Sequence, residues 1–441
     1  MRLSGWGRYP VLEARMHAPR SVEALQELVQ SKPSLIARGN GRAYGDSAIN
    51  PSATIEMRHL NRMIAFDPSS GQLVAEAGVL LSDIIAAFLP RGWFPMITPG
   101  TKFVTLGGAI AADVHGKNHH KDGSFRTCVD WVDVMGIEGE VRRCSRQKEA
   151  ALFDLTLGGM GLSGVVLRAA ISLRQVETAW ICQTTVAAPD LASAMTAFED
   201  AREATYSVAW IDCFGTGAKT GRSLVMLGEH AVPSDLPHDN AGTPFRIKPK
   251  RKISVPVDFP AFTLNRFSVQ GFNAFYYWVG ARRTGVQLVD WDSYFYPLDA
   301  IIGWNRIYGR KGFAQFQCVL PLDRSEAGLS ALLEEIAKAG SGSFLAVLKR
   351  FGKQESAFSF PMEGYTLALD FPVNTKTLAL LERLDQITIA HRGRFYLAKD
   401  SRMSAATLRA ADGRVDDFRA LRDTRSLTRR FRSAQSERLA I

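Results

Sequence analysis

Cysteine is scarce and scattered: Cys128, Cys144, Cys182, Cys213 and Cys318, with no CxxC pair. An odd number without paired spacing excludes a disulfide framework and fits reduced thiols in a cytoplasmic protein. Long apolar runs are missing too. No stretch of 18 apolar residues could cross a bilayer as a helix, and the N-terminus lacks the apolar core of a secretory leader. Carboxylates are outnumbered, 44 against 54 Lys and Arg, for a net charge of +10. That balance favours an anionic partner: a phosphate-bearing cofactor, a phosphorylated substrate, anionic lipid or nucleic acid. No Ser–His–Asp, metal-ligand or phosphoryl-transfer constellation stands out. At 441 residues the chain exceeds one ordinary core and suggests two domains.

Glycine, by contrast, is concentrated. Residues 99–123, PGTKFVTLGGAIAADVHGKNHHKDG, hold Gly100, Gly107, Gly108, Gly116 and Gly123, with Gly92 just upstream and Ala109, Ala111 and Ala112 between them. Glycine lets a backbone approach a ligand closely, and runs of free N–H groups bind anions. The stretch suits a flat, phosphate-bearing cofactor, or else a tight turn beside a short helix at 109–114. A second glycine turn, RGNGRAYGD at 38–46, directly follows a short apolar strand at 35–37, a context that suits a pyrophosphate. Residues 158–164 contain GxGxxG in Gly159, Gly161 and Gly164. The following 165–173 reads as a strand where a dinucleotide fold needs a helix, so NAD(P) binding there is rejected. His115, His119 and His120 do not form a zinc face: Gly116 and Asn118 argue against a helix, and no Cys or carboxylate lies at ligand spacing.

Ser21 caps a helix to about residue 30. Short strands are expected at 54–57, 63–67 and 73–77, a helix opened by Ser82 to about 89, and a hairpin from 129–136 and 140–144. Beyond 174, strands at 180–186 and 207–214 alternate with a helix at 192–202, an α+β pattern. Residues 232–256 lack apolar periodicity, carry the basic cluster 248–252, and read as a mobile loop or a solvated linker. The aromatic stretch 259–278 would line a lipid-tail channel or fill an ordinary core. Gln315 and Gln317 share one face of a strand and could hydrogen-bond sugar hydroxyls, or be solvated there. Lys349 offers a charge for phosphate, or is a surface lysine. Lys399, beside Asp400, is a candidate base or one half of an ion pair. A helix at 378–390 and a strand at 394–399 lead into a segment with nine arginines between Arg409 and Arg438. Its helical pattern suits packing on the first domain or contact with an anionic membrane.

GGAIAADVHGKNHH (107–120) resembles the flavin-binding segment of the decaprenylphosphoryl-β-D-ribose 2'-oxidases, within the vanillyl-alcohol-oxidase-like FAD proteins. IARGNGRAYGD (36–46), GGMGLSGVVLRA (158–169) and FYLAKDSR (395–402) match in order, and PLDAIIGWNRIYG (297–309), FAQFQ (313–317) and LKRFG (348–352) extend the likeness nearly end to end. The resemblance implies an α+β, two-domain vanillyl-alcohol-oxidase-like fold. An FAD-binding PCMH-type domain would cover 1–175, a substrate domain with an antiparallel sheet 176–393, and a C-terminal segment, 394–441, would return to the first domain.

It implies FAD held by Arg38, Gly39, Asn40, Gly41, Arg42, Ala43, Tyr44, Gly45, Gly100, Thr101, Thr105, Gly107, Gly108, Ala112, His115, Gly116, Asn118, His119, Gly164, Val165 and Tyr396. Arg42 stands where relatives with covalently attached flavin carry histidine, so the FAD is expected to be non-covalent. Lys399, with Tyr44 and His115, would be catalytic; Gln315, Gln317, Lys349, Thr366 and Lys399 would meet substrate. Thr366 and Ala368 replace an asparagine and a cysteine of actinobacterial members, and Phe295 replaces a tyrosine, all in the substrate pocket. The implied reaction oxidises the 2'-hydroxyl of a polyprenyl-phosphoryl ribose to the 2'-keto sugar, the first half of an epimerisation to the arabinose form used in cell-envelope glycans. An NAD(P)-dependent keto-sugar reductase would be the partner, in the cytoplasm or at the membrane periphery, with no nucleic acid or metal involved. The rivals are a soluble FAD-dependent alditol or aldonolactone oxidase and a flavin- or lipid-binding module without turnover.

Overall fold

The computed structural model describes residues 1–248, 250, 253–260, 263, 265–283, 285–343 and 345–441. Arg251 and Lys252 of the basic cluster, and positions 261, 262 and 264 of the aromatic stretch, lie outside the described residues.

The first part of the chain builds a two-stranded, a three-stranded and a six-stranded sheet, the first from Arg2–Ser4 and Val11–Glu13. Met16–His17, Thr54–Glu56 and Ile36–Arg38 pair in parallel, with Thr54–Glu56 in the middle. The helix Val22–Ser31 leads into the Ile36–Arg38 strand; the Ser21 hydroxyl accepts from the Ala24 N–H and caps it. An antiparallel sheet follows in the order Val141–Ser145, Val129–Met135, Val165–Gln175, Gln72–Glu76, Met63–Asp67, with Trp93–Pro95 also on the central Val165–Gln175 strand. That central strand is where a dinucleotide-binding helix would have to stand, so the GxGxxG reading fails on topology.

The second part is one eight-stranded antiparallel sheet: Val286–Asp290, Trp180–Ala188, Ser223–His230, Tyr206–Ile211, Ala346–Phe351, Gly364–Pro372, Phe313–Pro321 and Arg394–Phe395. Strand alternation divides its faces. Phe316, Cys318, Leu320, Leu348, Leu367 and Leu369 point into a core with Leu329, Leu332 and Leu333 of the helix Leu322–Ala339 and Leu380, Leu381 and Leu384 of the helix Thr375–Ala390. Each buried leucine contributes about 1.5–3 kcal/mol. The intervening Gln315, Gln317, Val347, Lys349, Ala368 and Asp370 take the opposite face, toward the first part. Polar residues recurring at every second position are thus held rigidly on a surface that their neighbours' burial fixes.

Two sequence expectations change here. The strand expected at 394–399 is only Arg394–Phe395, and it belongs to the eight-stranded sheet. Residues 396–399 turn instead, because the Lys399 N–H bonds back to the Tyr396 carbonyl. The short helix expected at 109–114 begins earlier, as Leu106–Ala111, since the Thr105 hydroxyl accepts from the Gly108 N–H and sets its start.

The arginine-rich C-terminal segment is helical at Ala405–Ala411, Val415–Thr424, Leu427–Arg430 and Ala434–Leu439 and packs on the first part, where Phe431 bridges Leu35, and on the helix Thr375–Ala390 of the second. Arg422 is fully buried, donating to the Leu162 and Phe431 carbonyls. Arg438 bridges Asp46 and Asp400 at 2.8 Å each. These arginines act as internal braces.

Candidate active site

The two parts enclose an elongated cavity of about 690 Å³, a size suited to a cofactor with its substrate. One wall is backbone. After the Ile36–Arg38 strand, residues 39–43 turn with Gly41 at φ +62°. Among the described residues, the N–H groups of Asn40, Gly41, Arg42 and Ala43 meet no protein acceptor. A Cβ on Gly39 would lie 2.2 Å from the Thr105 hydroxyl, so only glycine lets this turn close against the second glycine loop. The Asn40 amide ties the two loops by donating to the Phe103 carbonyl at 2.9 Å. The result is a cluster of unpaired donors suited to a pyrophosphate.

The cavity wall includes Gly39, Asn40, Gly41, Arg42, Ala43, Tyr44, Gly100, Thr101, Thr105, Gly107, Gly108, Ala112, His115, Gly116, Gly164 and Tyr396 of the expected cofactor set, and Gln315, Gln317, Lys349 and Lys399 of the substrate set. Six expected residues are off the wall. Arg38 turns back to donate to the Ser4 and Ala48 carbonyls. Gly45 packs on Asp400 and Ser401. Asn118 donates to the Met96 carbonyl and Asp122. Val165 pairs with Met135. His119 accepts the Gly352 N–H at its Nδ1, contacts Gln354 through Nε2 at 3.1 Å and lies against Phe351. Burial lowers its pKa to about 3, so it is a neutral brace between the two parts. Thr366 sits behind Gln317, donating to the Cys318 carbonyl and accepting from the glutamine amide.

That arrangement determines the state of His115. The Gln317 amide nitrogen donates to Thr366 and lies 3.1 Å from His115 Nε2. Nε2 therefore accepts, and the ring proton sits on Nδ1, which is buried without a partner among the described residues. Burial, with Lys349, His119 and Lys399 nearby, holds the His115 pKa well below its ordinary value. The preceding Asp113 fixes the turn. It sits at φ +40° and accepts from Ser124, the Arg126 N–H and Gln354.

Three amines line the cavity. Lys399 Nζ lies 3.8 Å over the Tyr44 ring. Burial drives its pKa down, opposed by the Asp370 charge and reinforced by Lys349. Burial likewise drives the Asp370 carboxyl up. The charge of each group favours the charged form of the other, against the desolvation that disfavours both. Lys349 is pushed down to about 8 by burial. Lys117 is pushed to about 7 by burial and by Lys349; its ammonium donates to the Tyr294 carbonyl and lies 4.0 Å over that ring. Lys117 and Asp370 are the residues that the sequence reading missed. Lys117 stands inside HGKNHH, two positions from His115, but nothing in the sequence marks it as buried. Asp370 reads as an unremarkable strand residue until pairing places it beside Gln315, its Cα partner.

The wall fits FAD: free backbone donors, the rings of Tyr396 and His115, and amines able to stabilise negative charge line one cavity. Residues 14–145 match the model of the FAD binding domain family. The fold and site define an FAD-dependent oxidoreductase. Across the whole chain the protein is 34% identical to decaprenylphosphoryl-β-D-ribose oxidase of Mycolicibacterium smegmatis, covering 97% of that protein. A Streptomyces coelicolor protein is 33% identical over 82% of this chain, and bovine L-gulonolactone oxidase is 26% identical over 38% of it. The chain belongs to the decaprenylphosphoryl-β-D-ribose oxidase family.

Proposed function

We propose that the protein oxidises the 2'-hydroxyl of a polyprenyl-phosphoryl ribose to the 2'-keto sugar, with a substrate part spanning 176–393 set against an FAD-binding part spanning 1–175 and the returning segment 394–441. The observation that supports this best is the grouping of Lys117, Lys349 and Lys399 on one largely apolar cavity. Half-buried amines whose charge is disfavoured by desolvation are costly unless an anion completes the site. The named relative acts on a phosphoryl ribose, whose phosphate would supply that anion.

Bound FAD supplies the acceptor for the carbon-bound hydrogen as hydride. Lys349 holds the substrate phosphate. Gln315 and Gln317 orient the sugar hydroxyls. Lys399, whose ammonium is disfavoured by desolvation, accepts the hydroxyl proton at Nζ in its neutral form, and Asp370 stabilises the ammonium that forms. Tyr44, whose phenol burial keeps protonated, supports Lys399 through its ring face. The neutral His115 lends its ring to the cavity wall. The 2'-keto product then needs an NAD(P)-dependent reductase to complete an epimerisation to the arabinose form.

Anaerobic bleaching of the flavin by polyprenyl-phosphoryl ribose tests the reaction. Bleaching by alditols or aldonolactones alone would instead make this a soluble sugar oxidase. The pH profile reports on the base. Flavin reduction should rise with pH as Lys399 loses its proton. Asp370 raises the Lys399 pKa, so Asp370→Asn should move this acid limb to lower pH, by about 1–3 units. An unmoved limb would remove Asp370 from the pair. The FAD is non-covalent on this reading, with Arg42 in the turn. The guanidinium lies 4.1 Å over the Trp6 ring. Acid precipitation should leave the yellow colour in the supernatant; colour retained in the pellet would refute it.

A further inference from the structure

The helix Arg266–Gly280, RFSVQGFNAFYYWVG, has no charged residue after its first. Its inner side is anchored: Val269 and Asn273 are buried, and the Asn273 amide donates to Asp212 at 2.8 Å. Its outer side inverts the usual rule for a surface helix, which presents polar residues to water. Phe267 is 82% exposed, Phe275 64% and Trp278 53%. These positions, with Gly271 and Ala274 between them, follow the helical repeat along one stripe. The sequence alternatives of an ordinary core or a channel lining therefore do not cover this stretch. Among the described residues of the stretch, Phe272 and Tyr276 reach the cavity.

Contiguous exposed apolar surface of this kind marks an interaction site. Its surroundings indicate what it meets. Arg266 stands exposed at one end, Arg282 and Arg283 at the other, and the Arg282 guanidinium stacks 3.8 Å over Trp278. Aromatic rings flanked by arginines are the anchors of a membrane interface, and the cations complement anionic headgroups. A second apolar edge adjoins the same cavity. Ile253–Ser254 pairs with Ile301–Ile302, leaving Ile253 63% and Ile302 52% exposed, while Ile301 lines the cavity.

We propose that this helix docks the enzyme on an anionic lipid bilayer through Phe267, Phe275 and Trp278. The Phe272 and Tyr276 side of the helix then faces the route from the membrane to the site. The proposal rests on the lipid-linked substrate reading only for the direction from which substrate arrives. The docking itself stands on the helix and its arginines.

The holoenzyme should co-sediment with phosphatidylglycerol-containing vesicles and not with pure phosphatidylcholine vesicles, and salt should weaken the association. The double substitution F275S/W278S should lower vesicle binding at least about tenfold, while FAD content and bleaching by a short-chain, water-soluble substrate stay as in the wild type. Wild-type sedimentation by that variant would overturn the proposal. Light scattering provides the other decisive outcome. A wild-type dimer that the double variant turns into a monomer, without vesicle binding by either, would assign the face to a second copy of the chain. Because the vesicles carry no substrate, a failure of docking and a failure of the proposed oxidation are read separately.

Discussion

Lys399→Ala is expected to reduce its bound flavin with substrate at least about 100-fold more slowly than the wild type, counted per FAD bound. Removing hydride from a carbinol that keeps its proton would give a protonated ketone, which is unfavourable. A group that takes this proton acts mainly in the transition state, and such help is typically worth about 10²–10⁴-fold. The structure gives Lys399 the required properties. It is half-buried in the cavity wall, its ammonium is disfavoured, and Asp370 lies close enough for its charge to stabilise the protonated amine. Lys399→Arg should not restore the rate, since a guanidinium does not deprotonate in this range. The measurement is single-turnover bleaching without oxygen across pH. A near-wild-type rate in Lys399→Ala would leave the lysine as a partner of Asp370 and nothing more.

Lys349→Ala should weaken the KM for a phosphorylated substrate by roughly 10- to 150-fold, the equivalent of about 1.5–3 kcal/mol for a hydrogen bond to a charged group. FAD content should not change. A second effect distinguishes electrostatics from a lost contact. Lys349 lowers the pKa of Lys399, so its removal should shift the acid limb of flavin reduction to higher pH, opposite in sign to Asp370→Asn. An unaltered KM would exclude Lys349 from phosphate binding, whatever the limb did.

Much of the site was legible because its chemistry is local. A turn from Gly39 to Ala43 exposes backbone donors whatever lies beyond it, so glycine spacing after an apolar strand was a sufficient signal. Gln315 and Gln317 share a face because strand periodicity is two. By the same rule the GxGxxG at 159–164 could be rejected, since Val165–Gln175 alternates and pairs as a strand. The errors lie where a residue's role depends on a partner far along the chain. His119 reads like a cofactor ligand until Gln354 and the Gly352 N–H claim both ring nitrogens. Thr366 reads like a pocket residue until Gln317 and the Cys318 carbonyl take its hydroxyl. The C-terminal arginines read equally well as a membrane face, but Arg422 and Arg438 are spent on carbonyls and carboxylates inside the molecule.

By itself, then, the sequence determined the two glycine turns, the alternation of the sheet, and the shared strand face of Gln315 and Gln317, because these depend on backbone conformation and short-range period. Tertiary structure alone decided which charges are buried together. Lys117, Lys349, Lys399 and Asp370 come from four separate segments, and their protonation depends on desolvation, which no single segment carries. It also decided that the aromatic helix Arg266–Gly280 turns Phe267, Phe275 and Trp278 outward. The sequence shows how apolar that helix is, but the burial of Val269 and the anchoring of Asn273 on Asp212 determine which side faces water.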